Sequence, residues 1–279
     1  MAIKNWLVRG DTHGVFTWMS NGCLDNYKPE ETAILILGDC CFDYYLNKTD
    51  ERIKKDVNAK GYYIYFLRGN HEQRPSLVPG YEIINDPEVK GAVYCDPRYP
   101  HIRAFMDYGF YQIKGYSCLI IGGAYSVDKY WRLMRAGNLS EETNIPKKTG
   151  WFNGEQLTKE EMADCLQKVK LFNATGKVVD FVFTHTCPIK FQPTDLFLNF
   201  IDQSTVDHSM EDFLEEISYT LGWNIWCFGH FHADRLERPH VEQFFNDIED
   251  IDEIWNRWEE YDKTHELPWY LVKGPNFDA

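Results

Sequence analysis

Side chains that could bind a metal ion or transfer a proton gather at five places in this sequence, each directly after a short apolar run. Four of these places have a glycine directly before a polar residue, as expected where the backbone turns sharply or approaches another segment closely. Five of the nine histidines lie in these clusters, which favours a functional site over chance. The candidate residues are Asp11, His13, Asp39, Asn70, His71, Glu72, His185, His230 and His232.

The spacing of these residues predicts that they share one site. Asp11 and His13 are two residues apart just after an apolar run, and His230 and His232 repeat that spacing. The carboxyl ends of parallel strands converge on the crevice where open α/β sheets bind ligands, so residues distant in sequence can meet there. We therefore expect seven potential metal ligands in one crevice.

Each cluster taken alone also has an ordinary structural explanation. Gly38-Asp39 is a common turn, His185 could be a buried structural histidine, and Glu72 could be a solvated turn carboxylate. The order of the clusters, their position after apolar runs and their mixture of oxygen and nitrogen ligands together favour a functional site.

The elements that would position these residues are short buried strands alternating with helices. The apolar runs are rich in β-branched and aromatic residues, whereas the segments Thr49 to Ala59 and Thr158 to Leu171 have helical spacing. This alternation predicts an α/β fold with one catalytic domain. Ala136 to Phe152 is polar enough to predict a long surface loop. The predicted strands are Trp6 to Val8, Ala33 to Leu37, Tyr62 to Leu67, Cys118 to Ile121, Val178 to Phe183 and Ile225 to Phe228.

The last forty or so residues differ in character from the rest. Apolar residues spaced by three and four in an acidic background predict an amphipathic helix. We expect it to pack on the core; binding a partner is the alternative. The predicted division is therefore a domain at 1–236 and an acidic amphipathic segment at 237–279. The apolar stripe comprises Phe244, Ile248, Ile251, Trp255 and Trp258.

Composition narrows the class of protein. The 279 residues are 44% hydrophobic and 16% aromatic, enough for a folded core. The formal net charge of −14 argues against general affinity for long nucleic acid or anionic membranes. The eight cysteines are scattered along the sequence, and we expect them to be reduced side chains buried in the core. The amino terminus lacks a signal-peptide apolar region, and no run approaches the roughly 18 apolar residues of a membrane span, so we expect a cytoplasmic protein.

The five clusters together resemble the calcineurin-like metallophosphoesterases. The pattern of that family is D-x-H, G-D, G-N-H-[E/D], a single His and G-H-x-H, and all five blocks occur in order between Asp11 and His232. The resemblance implies an α/β fold in which two mixed sheets flanked by helices form a β-sandwich, as a single domain. Leu67 to Glu72 also resembles the phosphoprotein phosphatase branch.

Two segments depart from that branch. The residues after Asp39 read Cys40-Cys41-Phe42-Asp43, so the arginine that clamps phosphate there in phosphoprotein phosphatases is missing. The segment from Ile121 to Asn138 has no counterpart in the branch.

The resemblance implies two divalent metal ions, with Mn²⁺ preferred and Fe or Zn²⁺ as alternatives. One ion would be held by Asp11, His13, Asp39 and His232. The same Asp39 would bridge to a second ion, held by Asn70, His185 and His230. Two such ions can activate a hydroxide and offset charge on phosphoryl oxygens, without a covalent enzyme intermediate.

His71 is then the candidate proton donor to the leaving oxygen, and Glu72 is the candidate to orient it and keep it protonated. Cys40 and Cys41 lack a base beside them in the sequence and are expected to pack in the core. Five cationic residues near the motifs could contact phosphate, with Lys129 and Arg132 favoured. The five are Arg68, Arg74, Lys129, Arg132 and Arg135.

These features predict a metal-dependent phosphomonoesterase, by resemblance close to the phosphoprotein phosphatases. One alternative is a phosphodiesterase acting on nucleotides or nucleic acid, with Tyr125, Tyr130 and Trp131 available to stack on a base. Another is an inactive metal-binding scaffold that holds a protein partner through the tail from Asp247 onward. We expect the protein to bind a phosphate ester as substrate and not to bind a membrane.

Overall fold

The apolar runs of the sequence form the strands of two mixed sheets in the computed structural model, which describes residues 3–275 and 277. Every predicted strand is present, with ends shifted by at most two residues. Within the described residues the strands are β1 Asn5–Arg9, β2 Thr32–Ile36, β3 Tyr63–Phe66, β4 Glu82–Asp86, β5 Gly91–Cys95, β6 Ile102–Phe105, β7 Tyr108–Ile113, β8 Tyr116–Ile121, β9 Val179–Thr184, β10 Trp223–Phe228, β11 Arg235–Arg238, β12 Val241–Gln243 and β13 Ile248–Asp250.

The first sheet has the strand order β13-β1-β2-β3-β6-β5-β4. Its central strands β1, β2, β3 and β6 are parallel, and antiparallel strands complete both edges. The second sheet has the order β11-β12-β10-β9-β8-β7, with β8, β9, β10 and β12 parallel. The predicted architecture of two mixed sheets is confirmed.

The main core lies between the two sheets. Trp6, Leu35 and Tyr65 from the first sheet pack in one cluster with Ile120 and Phe183 from the second. Burial of each such side chain contributes about 1.5–3 kcal/mol relative to exposure. Strands buried on both faces explain why the apolar runs of the sequence are nearly continuous rather than alternating.

Helices cover the outer faces of both sheets. Val57 of the first helix packs on the outer face of the first sheet, and Val169 and Leu214 pack on the second. The Asn47 side chain caps the first helix, and Thr158 with Glu161 forms a capping box at the fourth. The helices of the described part of the chain are α1 Lys48–Asn58, α2 Lys129–Arg135, α3 Pro146–Thr149, α4 Lys159–Asn173, α5 Ser209–Thr220 and α6 Ile251–Thr264.

The carboxyl-terminal segment contributes strands as well as a helix. The predicted amphipathic helix is α6, and its residues Ile251, Ile254 and Trp258 are buried in the core between the sheets. The prediction that Phe244 and Ile248 lie on this helix is wrong, because Phe244 follows β12 and Ile248 begins β13. Three residues of β13 pair with β1, too short a run to show a strand period in the sequence. The division at residue 236 stays a prediction.

Two further predictions about the chain can be compared with the structure. The segment 136–152 is mostly loop, but it contains α3 and ends at Trp151 and Phe152, which are buried. Among the cysteines, Cys23 is exposed and the other seven are buried and unpaired. In the described part of the chain, no helix combines the length and apolar character that crossing a membrane requires.

Candidate metal centre

The predicted site residues follow the carboxyl ends of strands in both sheets. Asp11 and His13 follow β1, Asp39 follows β2, and His230 and His232 follow β10. Asn70 and His185 follow β3 and β9 in the same way. The structure thus brings all seven predicted ligands to one edge of the sandwich.

Four of these residues have left-handed backbone conformations, which non-glycine residues adopt at a cost. The φ angles are 47° at His13, 49° at Asp39, 70° at His230 and 55° at His232. Turns of this kind end each strand abruptly and aim the side chain back across the edge of the sheet. Such concentrated strain is typical of functional sites.

Glycines allow the strand ends to approach each other closely. A Cβ atom on Gly38, whose φ is 97°, would lie 2.2 Å from Nδ1 of His185. A Cβ atom on Gly69 would lie 2.0 Å from Oδ1 of Asp39. No side chain fits at either position, which accounts for the glycines seen before the site residues in the sequence.

Asp11, His13 and His232 form the first group of candidate ligands. Nε2 of His13 and Nε2 of His232 lie 2.9 Å apart, and Oδ2 of Asp11 is 3.3 Å from Nε2 of His232. One ligand atom from each of the three lies within 4.8 Å of the others. Oδ1 of Asp11 accepts a hydrogen bond from the His230 backbone N–H, which fixes the carboxylate.

Asp39 and His185 form the second group, together with Asp11. Oδ1 of Asp39 lies 3.4 Å from Nε2 of His185, and one ligand atom from each of the three lies within 4.8 Å of the others. Asn70 is adjacent, with Oδ1 at 3.0 Å from Nε2 of His185. The His230 ring lies 4.9 Å from the His185 ring, measured between centroids.

The pairing at His185 fits a cation-binding site. Its Nδ1 lies 2.7 Å from the Leu37 carbonyl oxygen, so Nδ1 carries a proton and donates to that oxygen. Its Nε2 faces the Asn70 and Asp39 oxygens, which are acceptors. Either a proton on Nε2 or a metal cation can satisfy these atoms.

The other buried carboxylate gives a second test of fit. Asp11 is 2% exposed, and no described residue donates a hydrogen bond to its Oδ2. A buried charged oxygen is costly unless a charge or a donor satisfies it. Carboxylate, amide and imidazole ligands suit divalent transition metals, so the residues fit the predicted ions.

The electrostatics of the site follow from burial and close charges. Burial opposes ionisation of Asp39, but the imidazoles of His71 and His185 hold its pKa well below the usual range. Burial also opposes protonation of His185, but Asp39 and Asp11 raise its pKa to about 9. Burial lowers the pKa of His230 to about 3, leaving it neutral and able to ligate.

His71 lies beside the candidate ligands and contacts an arginine from the segment between Ile121 and Asn138. Nε2 of His71 is 3.8 Å from Oδ2 of Asp39 and 3.2 Å from Nη2 of Arg132. The Tyr44 ring stacks on His71, with centroids 5.7 Å apart. Burial lowers the pKa of His71, and Arg132 lowers it further.

Glu72 occupies a different place from the one expected. It is 1% exposed, and its carboxylate accepts hydrogen bonds from the backbone N–H groups of Gly69 and Cys41. Among the described residues it makes no hydrogen bond to His71, so it does not orient that ring directly. Burial raises the pKa of Glu72 to about 8, and Asp39 adds to this effect. Glu72 instead links the loops after β2 and β3.

Ser126 and Glu155 are site residues that the sequence did not reveal. The Asn70 amide Nδ2 donates to Oγ of Ser126 at 2.8 Å, and that hydroxyl donates to Oε2 of Glu155 at 2.5 Å. This series of hydrogen bonds orients the Asn70 amide so that its Oδ1 faces His185. The three residues are distant in sequence and no motif joins them, so only the fold brings them together.

The remaining candidates divide between site and structure. Cys41 places its sulfur within 4.8 Å of ligand atoms of His13 and His71, and burial raises its thiol pKa well above the usual value. Arg68 and Arg74 pair with Asp107. Of the five predicted cations, Arg132 contacts His71, and Arg68 donates to the backbone carbonyl of Glu155. Lys129 pairs with Glu141, outside the ligand groups.

Residues 7–234 match the family model described as calcineurin-like phosphoesterase. No curated protein matches the chain. Nineteen chains of solved structures match it. One of them superposes with a TM-score of 0.46 at 11% sequence identity, covering 89% of this chain and 95% of that chain.

Proposed function

The chain belongs to the calcineurin-like phosphoesterase family, and we propose from this that it is a phosphomonoesterase that hydrolyses its substrate with two divalent metal ions, preferably Mn²⁺. The convergence of two buried carboxylates and four imidazoles at one edge of the sandwich carries the proposal. Carboxylate and imidazole groups are ligands that suit divalent transition metals.

The proposed ligands divide into two sets. Asp11, His13 and His232 would hold one ion, while Asn70, His185 and His230 would hold the other. Asp39 would contact both. Two such ions supply positive charge for the phosphoryl oxygens and lower the pKa of a water molecule that attacks phosphorus.

His71 and Arg132 would act at the phosphate. Arg132 is 9% exposed and is oriented by Asp128, which accepts from its Nε at 2.7 Å, so its guanidinium is held before substrate arrives. A phosphate dianion beside His71 would offset the effects of burial and of Arg132, raising the pKa of the imidazole. The protonated His71 would then donate to the leaving oxygen.

Glu72, Ser126 and Glu155 would act as positioning residues. Glu72 holds the loops that carry Asp39 and Asn70, because it accepts from the backbone N–H groups of Cys41 and Gly69. Ser126 and Glu155 orient the Asn70 amide. Partners of this kind tune a metal site without touching the metal.

The scaffold alternative is disfavoured by the packing of α6. Trp258 is 1% exposed and its Nε1 donates to Glu242, so the apolar face of the helix is already occupied.

The diesterase alternative differs from the proposal only in the number of ester groups at phosphorus, and the same ligand set serves both.

The test is hydrolysis of p-nitrophenyl phosphate and of bis(p-nitrophenyl) phosphate by the purified chain with Mn²⁺, Fe²⁺ or Zn²⁺. We expect preference for the monoester and highest activity with Mn²⁺. Asp39→Asn should lower turnover at least about 100-fold, and Arg132→Lys should raise KM because a point charge replaces a planar fork. Asp25→Asn, at an exposed position, is the matched control.

A preference for the diester would replace the monoesterase proposal with the diesterase. Absence of hydrolysis with every metal, in a folded protein that binds Mn²⁺, would overturn both. Unchanged turnover in Asp39→Asn would place the chemistry outside this site.

A further inference from the structure

A cavity of about 440 Å³ opens directly beside the candidate metal centre. His13, His71 and His230 form one side of it. The opposite side is apolar and comes mainly from the segment 192–206, which crosses the site between β9 and α5. This apolar side includes Tyr125, Leu196, Phe197, Ile201, Val206 and Phe231.

Two of these rings form an ordered aromatic surface. Phe197 stacks on Phe231, with centroids 6.2 Å apart and planes 20° apart. Phe231 lies between His230 and His232 in sequence, so the aromatic surface is fixed to the same turn as two proposed ligands. A cavity of this volume with an apolar lining and few polar groups is typical of a small-molecule site.

A buried carboxylate also lines this cavity. Glu211, in the first turn of α5, is 4% exposed. Its Oε1 accepts from Oγ1 of Thr186 at 2.8 Å, but its Oε2 is buried and meets no hydrogen-bond donor from the described residues. An oxygen in this state costs stability unless a ligand provides the donor.

His208 repeats the observation one turn away. It lines the same cavity, and its Nδ1 is buried without a hydrogen-bond partner in the part of the chain that the structure describes. Two unpartnered polar atoms close to an aromatic surface are the pattern of a site that recognises the polar edge of a flat ring.

We propose that this cavity binds a nucleobase, so that the substrate is a nucleotide whose phosphate lies at the metal centre. The aromatic surface would contact the face of the base, and Oε2 of Glu211 would accept from an amino or ring N–H group on its edge. The inference rests on the proposed phosphoesterase function, because the cavity and the metal centre share His13, His71 and His230.

A phosphoprotein fits this cavity less well. A phosphorylated side chain presents no ring edge with N–H donors to Glu211, and it would leave the buried Oε2 without a partner. A base supplies that donor and covers the apolar surface at the same time.

The test compares nucleoside 5′-monophosphates with p-nitrophenyl phosphate as substrates of the Mn²⁺-loaded chain. We expect kcat/KM for at least one of AMP, GMP, CMP and UMP to exceed that for p-nitrophenyl phosphate at least about 10-fold. Glu211→Met, which fills the space without an acceptor, should lower that value about 10- to 100-fold. Glu211→Gln, which keeps an oxygen, should recover part of it.

Three controls separate base recognition from loss of structure. In Glu211→Met, kcat/KM for p-nitrophenyl phosphate should fall at least about 10-fold less than kcat/KM for the nucleotide, because p-nitrophenyl phosphate has no base to meet the carboxylate. Glu216→Met, an exposed position on the same helix, should leave all substrates unchanged. Titration of the Mn²⁺-free protein with unphosphorylated nucleosides should give binding that Glu211→Met weakens at least about 10-fold.

Several results would overturn the proposal. These are nucleotides hydrolysed no faster than p-nitrophenyl phosphate, a Glu211→Met variant that slows every substrate equally, or nucleosides that do not bind the metal-free protein. Failure of all hydrolysis with nucleoside binding intact would contradict the proposed phosphoesterase function and leave base recognition supported. The two conclusions therefore fail separately.

Discussion

Replacement of Ser126 by alanine should weaken metal binding although Ser126 is not a proposed ligand. The hydroxyl joins Asn70 to Glu155 through hydrogen bonds of 2.8 Å and 2.5 Å, and Ser126 is 2% exposed. Water cannot readily replace a hydroxyl at such a buried position. Its removal leaves the Asn70 amide free to rotate, so that Nδ2 instead of Oδ1 can face His185.

The expected magnitude follows from the partners that are lost. Loss of a residue that orients a ligand costs about 10- to 100-fold in metal affinity, equivalent to about 1.4–2.7 kcal/mol. Loss of partners for two buried polar groups should also lower the free energy of unfolding by about 1–3 kcal/mol. Calorimetric titration with Mn²⁺ measures the first effect and urea denaturation the second.

Ser20→Ala is the control, because Ser20 is exposed and its hydroxyl accepts only from Lys60 among the described residues. We expect no change in Mn²⁺ affinity for that variant. If Ser126→Ala binds Mn²⁺ as tightly as the unaltered protein while its unfolding free energy falls, then Asn70 is not a metal ligand. The hydrogen bonds from Asn70 through Ser126 to Glu155 would in that case contribute only to the stability of the fold.

Two further predictions concern stability. Burial raises the pKa of Glu211 to about 7, so the folded chain binds a proton that the unfolded chain releases above about pH 4.5. The contribution of Glu211 to the free energy of unfolding should therefore fall by about 3 kcal/mol as pH rises from 4.5 to 7. Glu211→Gln should remove that fall in urea denaturation, and an unchanged slope would contradict the assignment. Gly38→Ala should cost about 3 kcal/mol, because its Cβ would meet His185 at 2.2 Å and its φ is 97°. Gly176→Ala, with a φ of 72° and open space, should cost only the 1–2 kcal/mol of backbone strain, so equal losses would refute the steric account.

The strands that carry the ligands were predictable because burial on both faces makes them continuous apolar runs. β1, β2, β3 and β9 show this directly. The strands β4 and β7 were not predicted, because β4 is mostly exposed, β7 is mostly half-buried, and the residues of both mix polar and apolar types. Their pairing depends on neighbouring strands rather than on their own pattern.

The candidate ligands were predictable for a different reason. Each lies within four residues after a strand end, and His13 and His232 each follow another candidate ligand by two residues. Such local geometry produces a sequence pattern that can be recognised. Glu155 belongs to no such pattern, because its partner Ser126 is distant in sequence and only the fold brings the two together.

The same distinction explains the missing phosphate-clamping arginine. The sequence reads Cys40-Cys41-Phe42-Asp43 in the stretch after Gly38-Asp39, where the phosphoprotein phosphatases have an acidic residue and an arginine. A protein of net charge −14 needs a positive group beside an anionic substrate. Arg132 of α2 would supply one from the segment that does not match the phosphoprotein phosphatase branch, and its Nη2 lies 3.2 Å from Nε2 of His71. Asp128 and the Gly150 carbonyl hold the guanidinium in place. The electrostatic effect of a cation depends on its distance from the substrate and not on its position in the sequence. A cation on a different element can therefore provide the same positive charge at the site.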